Sequence, residues 1–256
     1  YHEIIFQRLT KANVSRTVIN RDDPIDARTV CWVLTDGKAG MLSQCLGLAA
    51  ALPLDPVIKQ IPPRFPWSIL PPQAWIAPLS APDTTSDALA PPWPDVLIAT
   101  GRQTVAPALA IKKASGGKTI AVQIQNPRVA PGRFDLVITP AHDQLAGANV
   151  VQTMGALHGV TDQKLRGSAS RFAPMFEDLP RPLLSVLIGG SNSQYQMTAA
   201  LTEKLGALLR QSAEEHGVGL AITISRRTGS DNVRILTKAL VDLPTIIWDG
   251  EGDNPY

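Results

Sequence analysis

From residue 29 onward, short apolar runs alternate with stretches of helical periodicity, and polar turns separate the two. Thr29–Thr35, Asp95–Thr100 and Phe134–Thr139 are rich in β-branched and other apolar residues and are bounded by turn residues, which predicts buried strands. Val57–Ile61, Lys118–Gln125 and Asn149–Met154 extend this set. Between them, Met41–Leu52 places Leu42, Cys45, Leu46, Ala49 and Leu52 on one helical face, with Pro53 as its stop. Gln103–Lys113 predicts a second helix. The pattern then repeats. Leu183–Ile188, Leu220–Ser225 and Thr245–Trp248 read as strands, Met197–Glu215 and Asn232–Val241 as helices. Leu201, Leu205, Leu208 and Leu209 form the expected buried stripe of the longer helix, which Gly217 and Gly219 end.

Such alternation predicts an α/β protein with parallel sheets covered on both faces and right-handed crossovers. The expected organisation is an N-terminal extension (1–28), a Rossmann-like doubly wound domain (29–160), a linker (161–181) and the front part of a second Rossmann-like domain (182–256). In the extension, Glu3–Leu9 reads as a helix or a strand, and Arg21–Pro24 as a turn. Residues 62–94 interrupt the alternation. Proline recurs there, which no regular strand tolerates, so an irregular connection is expected, with one short helix near Trp67–Leu70. Trp67, Trp75 and Trp93 are expected to anchor it to the core. The chain starts at Tyr1 and stops at Tyr256 soon after a strand, so a fragment is expected.

Composition narrows the classes. Hydrophobic residues make up 44% of the 256, enough for a core, and the net charge of +2 is too thinly spread for a nucleic-acid surface. No apolar run reaches the length of a membrane span, and no signal-peptide core precedes residue 30, so a cytoplasmic protein is expected, with peripheral membrane association open. Cys31 and Cys45 fit no metal or redox spacing and read as buried thiols.

The candidate chemistry lies in the turns that follow the strands, where open parallel sheets bind ligands. Asp36-Gly37-Lys38-Ala39-Gly40 precedes a helix and reads as a tight turn or as an anion-contacting one. It matches neither a Walker A loop nor GxGxxG. Gly189-Gly190-Ser191-Asn192-Ser193 is the more specific signal, since small polar residues between strand and helix suit a diphosphate or an N-capped helix. Ser225-Arg226-Arg227-Thr228 offers paired guanidinium groups for phosphate oxygens, or a solvated surface pair. Gly101-Arg102, Gln125-Asn126-Pro127-Arg128 and Pro140-Ala141-His142-Asp143 end three further strands. In the last, His142 beside Asp143 is a candidate general base with its orienting carboxylate, or a surface histidine.

Taken in order, Leu34–Gly40, Gln44-Cys45-Leu46-Gly47, Pro140-x-His142-Asp143, Asn149-Val150, Gly155-Ala156-Leu157, Gly189-Gly190-Ser191 and Ser225–Thr228 resemble the mitochondrial-fission "elongated mitochondria" family over residues 29–256. Its bacterial members look like glycosyltransferases of the B type, two Rossmann-like domains facing a cleft. The resemblance implies a transferase using a nucleotide-diphosphate sugar on a cell-envelope acceptor, without metal or further cofactor. It implies donor contacts at Gly189, Gly190, Ser191, Asn192, Ser225, Arg226, Arg227 and Thr228. An acceptor-side cleft would comprise Lys38, Gly40, Gln44, Gly101, Arg102, Gln125, Asn126 and Asp143, with Asp36 or His142 taking the acceptor's proton. Plant relatives imply the alternative, a non-catalytic adaptor that recruits a protein partner at a membrane surface. That reading expects an exposed apolar patch in 62–94. A dinucleotide-dependent epimerase is a third option, disfavoured by the missing GxGxxG and Tyr-x-x-x-Lys.

Overall fold

A computed structural model of the chain describes residues 28–52, 54–83, 85–192 and 194–253. The expected Glu3–Leu9 element, the Arg21–Pro24 turn, the Pro53 helix stop and Ser193 lie outside the described residues. The chain divides into two compact units between Val160 and Thr161.

In unit 1, six parallel strands form one sheet in the order β2-β1-β3-β4-β5-β6. They are β1 (Cys31–Thr35), β2 (Pro56–Gln60), β3 (Val96–Thr100), β4 (Ile120–Ile124), β5 (Leu136–Pro140) and β6 (Val150–Thr153). β1, β3 and β4 are buried at every position, which is why they read as continuous apolar runs. Alternate side chains serve opposite faces. Cys31, Val33, Ile98 and Val122 pack with Cys45, Leu48 and Ala49 of helix α1 (Ala39–Ala51). Leu34, Leu97, Ala99 and Ala121 pack with Val105, Ala108 and Ile111 of helix α2 (Val105–Ala114) on the other face. Two helices on opposite faces make the sheet doubly wound.

Residues 62–94 form turns and two short 3-10 helices, Pro72–Ala74 and Pro78–Ser80. The short helix expected near Trp67–Leu70 is instead a hydrogen-bonded turn, in which Ser68 N–H donates to Arg64 O and Leu70 N–H to Pro66 O. Its tryptophans are anchors, as expected. Trp75 is buried with Ala81 and Ala106, Trp67 packs against that cluster, and Trp93 meets Trp32 edge to face at 6.2 Å.

Unit 2 holds a parallel sheet in the order β7-β8-β9: β7 (Leu183–Ile188), β8 (Gly219–Ile224) and β9 (Thr245–Trp248). Helix α3 (Asp162–Phe172) occupies much of the stretch expected as a linker, N-capped by Thr161 accepting from Lys164 N–H. Helices α4 (Ala199–His216) and α5 (Ser230–Ala239) pack together and share a cluster with the sheet.

The stripe expected on α4 is half met: Leu209 is buried and Leu205 packs against the unit 2 cluster. The buried residues of α4 are Thr202, Gly206, Leu209 and Ala213, whereas Leu208 is 51% exposed and Leu201 is also exposed. Close approach to α5 is the reason: a Cβ on Gly206 would stand 2.7 Å from Cβ of Ala239, so small residues occupy the contact. Gly217 ends α4 in the left-handed conformation, while Gly219 opens β8 against Leu179 and Pro180. No helix among the described residues is long and apolar enough to cross a membrane.

Candidate functional site

The strand order of unit 1 reverses at β1, since β2 lies on one side of it and β3 on the other. The carboxyl ends of β1 and β3 therefore bound the crevice where such sheets bind ligands. Asp36 and Lys38 follow β1; Gly101 and Arg102 follow β3. Met41 packs into the same corner, its sulfur 3.6 Å from the Thr100 hydroxyl that donates to it. Lys38 Nζ is ion-paired with the Asp36 carboxylate, whose other oxygen accepts Lys38 N–H at 3.3 Å. This turn is thus closed on itself, with the ammonium exposed. Gly40 is exposed at the start of α1. Gln44 is buried and donates to Gly40 O at 3.3 Å, so its amide serves the helix.

Beside the crevice, the ends of β3, β4 and β5 enclose a pocket of about 360 Å³, lined by Arg102, Gln125, Asn126, Arg128, Pro140, His142 and Asp143. Parallel pairing of three successive strands brings these separate turns together. Each wall is held. Arg102 Nη2 donates to Ser68 O at 3.1 Å. Asn126 Oδ1 accepts Arg128 N–H at 2.9 Å, and Gln73 donates to Arg128 O at 2.7 Å. The Asp143 carboxylate accepts the buried Thr139 hydroxyl at 2.6 Å and lies 3.8 Å from His142 Nε2. His142 itself is exposed.

Asp36 and His142, the two expected proton acceptors, are not neighbours. β3 and β4 separate their strands, which amounts to roughly 14 Å at ordinary strand spacing. Ser68 and Gln73 were not expected at this site, whereas Arg128 belongs to the Gln125-Asn126-Pro127-Arg128 turn singled out in the sequence. The first two enter from the proline-rich segment, and only the folded contact reveals them.

In unit 2, the turns after β7 and β8 dock on each other. Ser191 N–H donates to Arg227 O at 3.2 Å. The Thr228 hydroxyl, fully buried, donates to Gly189 O at 2.6 Å and accepts Ser225 N–H at 3.1 Å. Ser191 Oγ accepts Met197 N–H at 3.0 Å, and Asn192 Oδ1 accepts from Gln194 and Tyr195 N–H groups at 2.8 Å. Most polar groups expected to grip a ligand here therefore build the turn. Arg226 and Arg227 remain exposed at the carboxyl end of β8.

The sequence model of the mitochondrial fission ELM1 family matches residues 39–256. The chain is 34% identical to the mitochondrial fission protein ELM1 of Arabidopsis thaliana, over 64% of this chain and 44% of that protein. It is 23% identical to an uncharacterised protein of Rickettsia prowazekii (strain Madrid E), over 64% of this chain and 54% of that one. The chain thus spans about half the length of these relatives.

Proposed function

Because the chain belongs to the mitochondrial fission ELM1 family, we propose that it is a glycosyltransferase-like enzyme whose unit 2 holds the diphosphate of a nucleotide sugar. One observation carries this reading: the docked turns after β7 and β8 present Arg226 and Arg227 together at the carboxyl ends of adjacent parallel strands. Guanidinium groups bind phosphate oxygens bidentately and offset the charge that develops on a departing diphosphate. In the transfer, an acceptor hydroxyl oxygen bonds to the anomeric carbon as the bond from that carbon to the diphosphate breaks. The diphosphate leaves with the electron pair, and the hydroxyl proton passes to a base. Asp36 and His142 remain the two candidates; the Lys38 ion pair engages the first, and the second lines the unit 1 pocket. The acceptor is proposed to be a cell-envelope molecule, and no metal is assigned to the step. Titration with uridine diphosphate tests the reading. Saturable binding that weakens at least about tenfold in Arg227→Ala is expected; absence of binding by any nucleoside diphosphate removes its support.

A second reading has its own observation. Phe65, Ile69 and Ile76 are 75%, 66% and 81% exposed within the segment whose tryptophans are packed. Exposed apolar side chains gathered in one segment suit a protein partner, as an adaptor at a membrane surface requires. Replacing all three by Ser abolishes partner recruitment under this reading and leaves nucleotide binding intact.

A further inference from the structure

We infer that the unit 1 pocket recognises a phosphate ester on a hydroxylated ring, the group carried by a free sugar phosphate or by a phosphatidylinositol headgroup. The inference stands whether or not unit 2 binds a nucleotide. The charge of the lining comes first: Arg102 and Arg128 bring two guanidinium groups against the single carboxylate of Asp143. Two planar donor forks match the oxygens of a phosphate dianion. The carboxylate accepts hydrogen bonds and repels a second anion, so it suits ligand hydroxyls. Gln125 and Asn126 add amides, which pair with hydroxyls in either sense. The lining contains no Phe, Tyr or Trp and one apolar residue, Pro140, so it meets a ligand with polar and charged groups rather than with an apolar wall. A volume of about 360 Å³ lies at the small end of ligand pockets, near roughly 300 Å³, and suits one ring with its phosphate.

Backbone conformation points to the same place. Gln125, Arg128 and Gln144 adopt left-handed torsions, with φ of 71°, 57° and 51°; among the described non-glycine residues only Ala77 shares this. Two of the three line the pocket, and the third follows Asp143. Strained residues persist where the surrounding structure fixes them, and they gather at ligand sites. Here the bonds from Gln73 to Arg128 O and from Arg128 N–H to Asn126 fix the arginine's backbone before any ligand arrives.

Calorimetric titration with glucose phosphate, with glucose as control, tests the inference on the whole chain. A second arm measures sedimentation with phosphatidylcholine vesicles that contain phosphatidylinositol. Saturable binding is expected in at least one arm, and the arm that binds identifies the source of the ligand. Arg102→Ala and Arg128→Ala each weaken that binding about tenfold, whereas Arg166→Ala, an exposed arginine of α3, leaves it unchanged. Thermal melts confirm that the exposed-arginine variants are folded. Absence of binding in both arms overturns the inference. So does binding that survives both pocket substitutions, or glucose binding as tightly as its phosphate.

Discussion

Gly190 lies so close to Arg227 that a Cβ on the glycine would stand 2.0 Å from the arginine's carbonyl carbon and oxygen. Main chain meets main chain here, so no rotamer change relieves the overlap. Gly190→Ala must push the β7 turn off the β8 turn, breaking the bond from Ser191 N–H to Arg227 O and moving both guanidinium groups. The expected cost is about 1–3 kcal/mol of unfolding free energy, read from the urea midpoint. Gly189→Ala is the control, because nothing lies within 4 Å of a Cβ there. Equal stability of the two variants would show that the turns are not docked as described.

The same comparison shows what a sequence conceals. The two glycines look equivalent in Gly189-Gly190-Ser191, and only the neighbouring strand's turn distinguishes them. Strand positions were legible because apolar and β-branched runs bounded by turn residues mark them; Leu183–Ile188 and Thr245–Trp248 match the structure at both ends. The stripe of α4 was legible only at Leu205 and Leu209, since small residues rather than leucines form the close contact with α5. The unit 1 pocket was legible in parts: Arg102, Gln125, Asn126, His142 and Asp143 each follow a strand. Their meeting depends on β3, β4 and β5 being successive neighbours, which local pattern does not encode. The Gln44–Gly47 and Gly155–Leu157 motifs likewise acquire a reason only in three dimensions. A Cβ on Gly47 would stand 2.6 Å from the His158 carbonyl, so the glycine lets that chain cross α1.

Asp95 and Asp135 stand one position before their strands, and the structure gives both the same task. Asp95 Oδ2 accepts Val30 N–H at 3.0 Å, and Asp135 Oδ2 accepts Ala121 N–H at 2.9 Å, each tying a neighbouring strand's start. Asp135 differs in also pairing with Lys112 Nζ at 2.8 Å, with both side chains largely buried. Asp135→Ala leaves the ammonium without its carboxylate and is expected to cost on the order of 3 kcal/mol. Asp95→Ala, at an exposed site, is expected to cost about 1 kcal/mol. Urea denaturation of the two variants checks the order. Adding Lys112→Met to Asp135→Ala should recover part of the loss, because no buried charge then lacks its partner.

Cys31 and Cys45 share one core cluster, and burial pushes both thiols from the ordinary 9.0 up to about 12; for Cys45 the proximity of Cys31 adds to the effect. Neutral thiols are therefore favoured in the folded chain. The sign follows from proton binding. As pH rises past 9.0, the unfolded chain releases these protons while the folded chain holds them to about 12. Their contribution to stability is thus complete below 9.0 and is lost progressively through that window, with a slope of at most about 1.4 kcal/mol per pH unit for each thiol. Urea midpoints measured across this range should fall more steeply in the native sequence than in a Cys31→Ala/Cys45→Ala variant. The two proteins share every other ionisable group, so the difference in slope isolates the thiols. At about pH 8 an aromatic disulfide reagent should label both cysteines only as fast as the core opens. Prompt labelling of either thiol, or parallel slopes, would contradict their burial in the first unit's core.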